Sequence, residues 1–376
     1  PALAESAIHR ALPLIAALRA QRTNELECVQ LEVDCLMKLG ACLAVPARRD
    51  EAIAIYDRVI PLADRLARAE NDSPASADLR AACHNSYASI LGRDRFEVAK
   101  AHYRQAIGLR ERADVLAIPG MRNRLAQSIE NLGVIHWKER DYPDAERRFR
   151  QAEELLLAST TDRPSPDRET TMTLGQVNVN WAGMLWELHR NDQAIARANS
   201  AIELLESYLR VEPNDQVVRD LCLKLHGNRG QALGAVGKSR EAAADWERVV
   251  ELAGDPVPPQ YRITLASKLL EIGELDRALS QAVLAKRTGG GSGEAHYNLG
   301  CFYARAAAAV QKDPNKHSEE RSRVFELYVA DALAAIQKAA RAGLFLDPAM
   351  RDHALKDSDL TILRDQEQFR RILRAE

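Results

Sequence analysis

The sequence predicts an all-α fold built from repeated helix-turn-helix pairs. Three observations carry that reading. Ala, Leu, Arg and Glu, all good helix formers, dominate the composition, and aromatics make up only 5% of the 376 residues. Gly and Pro fall in a few clusters, and no segment alternates apolar and polar residues as a half-buried strand does. One pattern of small and large residues also returns in register along most of the chain.

The elements follow in order. Residues 1–22 lack a charged start followed by an apolar run and a small-residue cleavage site. They read as an amphipathic helix that caps one end or closes a preceding repeat. The chain has no initiator Met and is expected to be a fragment. Residues 23–343 carry the repeats. In "ENLGVIHWKERDYPDAERRFRQA", Leu132-Gly133 is followed by His136 and then by Ala145, Phe149 and Ala152. Small residues suit a close crossing of two helices, and large ones fill the space between pairs. Leu39-Gly40 leads likewise to Ala52, Tyr56 and Val59, and Tyr87, in a poorly matching helix, to Ala99, Tyr103 and Ala106. Ala182 leads to Ala194, Ala198 and Ala201, Gly230 to Ala242, Trp246 and Val249, and Ala266 to Ala278, Ala282 and Ala285. Gly300 opens a seventh unit whose second helix is displaced to Ala332, Ile336 and Ala339.

This register resembles the tetratricopeptide repeat (TPR), which implies a superhelix of about seven repeats with terminal capping helices. The last two anchor intervals lie near the usual ~34 residues. The earlier ones are longer, accommodate loops such as 159–171, and resemble the kinesin-light-chain type of TPR. Residues 344–376 are expected to cap the other end, with Leu360, Leu363, Phe369 and Leu373 closing the last apolar face.

From Glu294 the chain is similar to the C-terminus of bacterial TPR-containing serine/threonine protein kinases. The residues that carry this are Tyr297, Asn298, Gly300, Cys301, Tyr303 and Ala304, with Asp357, Asp359, Leu360, Leu363, Arg364 and Phe369. Gly300 stands where that family usually has Ala, read as a harmless exchange of small for small. The resemblance implies a docking or sensory region of a signalling protein, or an accessory region that recruits substrate or self-associates. The kinase motifs themselves, a glycine-rich loop after a strand, V-A-I-K, H-R-D and D-F-G, are absent from the sequence. The glycines of 288–297 fall between two helices and read as a loop. No catalytic residue, cofactor or metal is therefore expected.

Charge narrows the partners. With 52 basic and 54 acidic residues the net charge is −2, which disfavours general nucleic-acid binding. No apolar run is long enough for a transmembrane helix, and a cytoplasmic protein is expected. The six cysteines, Cys28, Cys35, Cys42, Cys83, Cys222 and Cys301, form no CxxC pair and read as buried packing residues. His136 and Glu139 share a helix face, but His136 falls at the large core position of its repeat and reads as packed.

The recurrent polar signal is asparagine. Asn85, Asn131, Asn180, Asn228 and Asn298 each stand two residues before an anchor, on the face that would line the inner wall. A carboxamide both donates and accepts, so such a row can hold the backbone of an extended peptide. It can equally bond the neighbouring helix and stiffen the stack. Peptide-binding TPR proteins use asparagines at this place, as the resemblance implies. Trp137 and Trp186 share the next inward phase and suit a ligand side chain, or packing on the next helix. Lys138, Lys224 and Arg305 suit a carboxylate, and Gln231 lies among the inward positions. Residues 123–305 are the expected groove, with a protein or peptide as partner and homo-oligomerisation open.

Overall fold

The computed structural model describes residues 2–21, 25–92, 95–158, 167–287, 292–312 and 317–374. Of the loops expected within 159–171 and 288–297, residues 159–166 and 288–291 lie outside these residues, while 168–171 and 293–297 are helical and correct the expected bounds. No strand occurs among the described residues, and none of their helices is long and apolar enough to cross a membrane. The chain forms two compact units, Pro1–Met184 and Leu185–Glu376.

The first unit holds α1 (Ala2–Ala20), α2 (Glu25–Leu43), α3 (Arg49–Ala69), α4 (Pro74–Ile90), α5 (Phe96–Arg110), the short α6 (Ala113–Leu116), α7 (Met121–Lys138), α8 (Tyr142–Leu157) and most of α9 (Arg168–Glu187). Helices that follow one another pack together: α1 on α2, α2 on α3, α3 on α4, α4 on α5, α5 on α7 and α7 on α8. The second unit begins at the end of α9. It continues with α10 (Asn191–Val211), α11 (Gln216–Ala235), α12 (Ser239–Ala253), α13 (Pro259–Glu271), α14 (Leu275–Arg287), α15 (Gly293–Gln311), α16 (Ser318–Arg341), α17 (Pro348–Lys356) and α18 (Glu367–Arg374). Here α11 packs on α12, α13 on α14, and α15 on α16. This is the all-α helix-pair architecture of a TPR array.

The crossings explain why small residues recur. A methyl at Gly40 would come 2.6 Å from the Tyr56 ring, and one at Gly133 would come 3.0 Å from Phe149. One at Gly230 would come 2.9 Å from Trp246. In all three pairs the large residue stands the same distance along the chain from its anchor. Ala52, Ala99, Ala145, Ala242 and Ala278 are fully buried at the matching small position of the second helix. Gly300 corrects the expectation that Ala would serve there equally. Its added methyl would lie 2.6 Å from Ile336 Cδ1, so the end of that side chain would have to move.

The turn inside each pair obeys the same register. Arg140 (φ 65°), His189 (φ 56°), Gly237 (φ 78°) and Gly273 (φ 82°) all adopt the left-handed conformation. Each stands seven residues after its anchor, so the chain must reverse at one fixed point in the pair. Side chains also hold helix starts, both within a pair and between pairs. Asp141 Oδ1 accepts from Asp144 N at α8, and Asp215 Oδ1 accepts from the Val217 and Val218 N–H groups at α11.

The tail closes the second unit. Leu360, Leu363 and Phe369 are fully buried. The 3-10 turns of Ser358–Leu363 lie on α15, and α18 lies on α16. Tyr297 donates to Asp357 Oδ2 at 2.6 Å and meets the Phe345 ring edge-on, with centroids 6.2 Å apart. Cys301 also contacts Asp357, at 3.7 Å. All six cysteines are free thiols. Cys28, Cys83, Cys222 and Cys301 are buried as expected, but Cys35 and Cys42 are only half-buried, because their side of α2 is incompletely covered.

Candidate functional site

The first unit places a cleft of about 470 Å³ at the C-terminal ends of its first helices. Ala44, Val45, Arg49, Leu91, Phe96 and Lys138 are among its lining residues. Helix length explains it. α2 stops at Leu43 and α4 at Ile90, whereas α7 runs on to Lys138, two residues further from its anchor. Leu91 and Val45 are already extended where α7 still winds. The shorter helices leave a hollow, and the exposed Lys138 stands at its wall. The hollow therefore combines apolar sides with two cationic side chains, Arg49 and Lys138. Lys138 was expected from sequence. Arg49, Leu91 and Phe96 were not, because only the early end of α4 brings them together.

The asparagines divide by environment. In the first unit Asn131 is half-buried and makes no hydrogen bond among the described residues. Asn85 is half-buried, with its Oδ1 buried and unpaired. Asn180 donates to Glu130 Oε1 on α7, the first helix of the preceding repeat. Glu130 is buried, and loss of solvent pushes its carboxyl up to about 7 against the opposing pull of Asn180 and Lys138. Trp137 is half-buried beside this stripe. In the second unit Asn228 and Gln231 are half-buried, Asn298 is exposed, and Trp186 is 43% exposed. Arg305 already faces Glu271 and Asp359, at 3.4 and 3.8 Å. Lys224 is exposed.

Several buried polar groups are structural. Asp78 accepts from Arg110 Nε at 3.0 Å and from Arg124, while Arg110 also reaches Ser128 Oγ at 2.7 Å. His136 is packed as expected, its Nδ1 2.9 Å from Asp141, the cap of α8. Glu139 turns away to Lys100, at 2.9 Å, so the pair does not converge on a ligand. His84 and His102 share one Nδ1···Nδ1 contact of 2.8 Å between α4 and α5. Burial and the second ring push His84 down to about 4. A wider cavity of about 750 Å³ lies by α16 and the tail, lined by Arg321, Phe325, Val329, Leu333 and Gln366 among others. None of the residues expected to bind is among its lining residues.

No family model and no curated protein matches the sequence. Among solved structures, the chain is similar to BtubC (BKLC) from P. vanneervenii, with 15% identity and a TM-score of 0.49 over 72% of this chain and 95% of that one. It is similar to pilF of Pseudomonas aeruginosa, with 17% identity and a TM-score of 0.44 over 73% and 98%. A monomeric mutant of IFIT1 with m7Gppp-AAAA gives 14% identity and a TM-score of 0.38 over 98% and 77%. At these values nothing about function is taken from them.

Proposed function

We propose that the chain is a non-catalytic scaffold that binds an extended peptide segment of a protein partner. The observation that carries this reading is the first-unit cleft, where apolar walls at Leu91 and Phe96 stand beside Arg49 and Lys138. Two cations at the wall of an apolar hollow suit a segment offering a carboxylate next to an apolar side chain. Asn131, with its amide uncommitted, supplies a backbone contact on the same helix. Asn180 is bonded to Glu130, which favours a stapling role at that junction. In the second unit, Asn228, Gln231, Asn298 and Trp186 would extend recognition along that unit's own first helices.

The setting we infer is the docking or sensory region of a cytoplasmic bacterial signalling protein. A second reading, the accessory region of a serine/threonine kinase, is favoured by the tail. The residues of the kinase-like resemblance meet there as one packing unit: Tyr297 and Cys301 hold Asp357, and Arg305 faces Asp359. The deciding experiment is capture of partners on the full chain, peptide mapping, and titration of the mapped peptide. Lys138→Glu and Asn131→Ala should each weaken it at least tenfold with the melting temperature unchanged. Equal binding by both variants would overturn the cleft assignment.

A further inference from the structure

The second unit buries a polar cluster that the scaffold reading does not use. Cys222 and His226 stand one turn apart on α11, and Glu206 faces them from α10. Cys222 is fully buried, and His226 is 4% exposed. The donor atoms of these three residues all lie within 4.8 Å of one another. Around them, Asp245 of α12 accepts from Arg229, at 2.6 and 2.8 Å, and Arg248 Nε reaches Glu206 Oε1 at 3.1 Å.

The histidine makes this more than a hydrogen-bond network. Its Nδ1 lies 2.8 Å from Asp245 Oδ1, and its Nε2 lies 3.2 Å from Glu206 Oε1. A neutral imidazole carries one N–H. Whichever nitrogen bears it, the other nitrogen turns a lone pair toward a carboxylate oxygen. Two acceptors do not face each other at that distance, so either a second ring proton or a bound metal ion lies between them. Asp245, fixed by Arg229, is the better anchor for Nδ1–H, which leaves Nε2 facing Glu206 Oε1. A histidine oriented through one nitrogen by a carboxylate, with the other nitrogen facing further donors, is the second-shell arrangement of metal-ligating histidines. Four-coordinate zinc with bonds of about 2.0–2.3 Å sets its ligand atoms roughly 3.3–3.7 Å apart, and here Nε2 and Glu206 Oε1 are 3.2 Å apart with all three donors within 4.8 Å of one another.

We propose that Glu206, Cys222 and His226 bind one zinc-class divalent ion at the junction of α10 and α11, with Asp245 as the orienting carboxylate. A mixed sulfur, nitrogen and oxygen set suits zinc or cobalt and is unsuited to magnesium or calcium. Three protein ligands leave one position for water. The Glu206 side chain, one-third exposed, gives the ion its path in. The bound ion would tie the second helix of one repeat to the first helix of the next.

The test uses the full chain, stripped with a chelator and titrated with Zn²⁺ against a chromophoric competitor, and separately with Co²⁺. One ion per chain is expected. Co²⁺ should give the near-ultraviolet charge-transfer band of a thiolate ligand. Cys222→Ser should abolish that band and weaken zinc at least 100-fold, and Asp245→Asn should weaken it about 10- to 100-fold. If Cys222→Ser does not fold, Glu206→Gln, on the part-exposed ligand, carries the test with an expected loss of tenfold or more. No zinc held against the competitor would mean that an imidazolium alone bridges the two carboxylates, and would overturn the proposal. A cobalt band that persists in Cys222→Ser would place the ion elsewhere and overturn it equally.

Discussion

The two units finish their helix stacks in opposite ways. In the first, α1 rests on α2 through Ile8 and Ile15, while Leu3, Leu14 and Leu18 are 89%, 66% and 48% exposed. In the second, residues 344–374 fold back over α15 and α16 and bury Phe345, Leu360, Leu363, Phe369 and Leu373. The difference teaches what a repeat's open side requires. Within the first unit, Glu130 on α7 meets Asn180 on the next repeat's first helix. In the second, Tyr297 and Cys301 hold the same phases on α15 as Glu130 and Val134 hold on α7, and their partner is Asp357 of the tail. The tail thus fills, with a polar outer side, the place of a further first helix.

The strongest way to break this contrast is truncation. Removing 347–376 should cost on the order of 5–10 kcal/mol, an upper bound from burying four large apolar side chains. Aggregation should follow, read by light scattering and thermal melting. Removing 2–20 should cost only about 2–4 kcal/mol, from two isoleucines. Equal losses would show that the ends are closed alike.

Crossings sharpen the comparison next. Gly300→Ala should cost about 1–3 kcal/mol through overpacking on Ile336, and Ile336→Val in the same chain should restore part of it. Gly133→Ala, with a looser 3.0 Å approach to Phe149, should cost less, whereas Gly133→Leu should be severely destabilising. Denaturant midpoints of the four variants decide the ranking.

Acid separates the units on a smaller scale. His84 stays neutral in the folded chain because its value is depressed to about 4, while an unfolded histidine takes up its proton near 6.5. At this group the unfolded state therefore binds more protons between those values, so the contribution of His84 to stability is lost as pH falls from about 6.5 toward 4, opposite in sign to that of Glu130. The loss should be about 1–2 kcal/mol, reduced by the ring's remaining solvent contact. Hydrogen exchange in α4 and α5 should rise over that window, and His84→Phe should flatten it. The smallest effects concern the turns. Arg140→Gly in the first unit and His189→Gly in the second should each stabilise by roughly 0.5–1 kcal/mol, by relieving left-handed strain at a non-glycine residue. A chemical melt of each would detect it.

The repeat was legible in sequence because its signal is steric. Gly40, Gly133 and Gly230 must be small for one reason, and the chain spacing to Tyr56, Phe149 and Trp246 repeats that reason. At Gly300 the partner Ile336 was read from the displaced helix, but its 2.6 Å approach depends on packing that the residue pattern does not report. The cleft was half legible. Lys138 belongs to the inner stripe, but Arg49, Leu91 and Phe96 join it only because α4 ends early. The cluster at His226 was not legible at all. Glu206 and Asp245 lie about twenty residues away on either side, and only the packing of three helices brings them to one ring.

The order in which the ribosome delivers these parts gives the tail a further consequence. α15 and α16 emerge before residues 344–374, so the apolar face that Leu360, Leu363 and Phe369 later cover is bare while the chain is still being made. A message broken or a ribosome stalled within that stretch releases a chain with all its repeats and an adhesive end. The same segment that covers this face thus separates chains made past it from chains broken before it, and leaves the latter visible to chaperones and proteases.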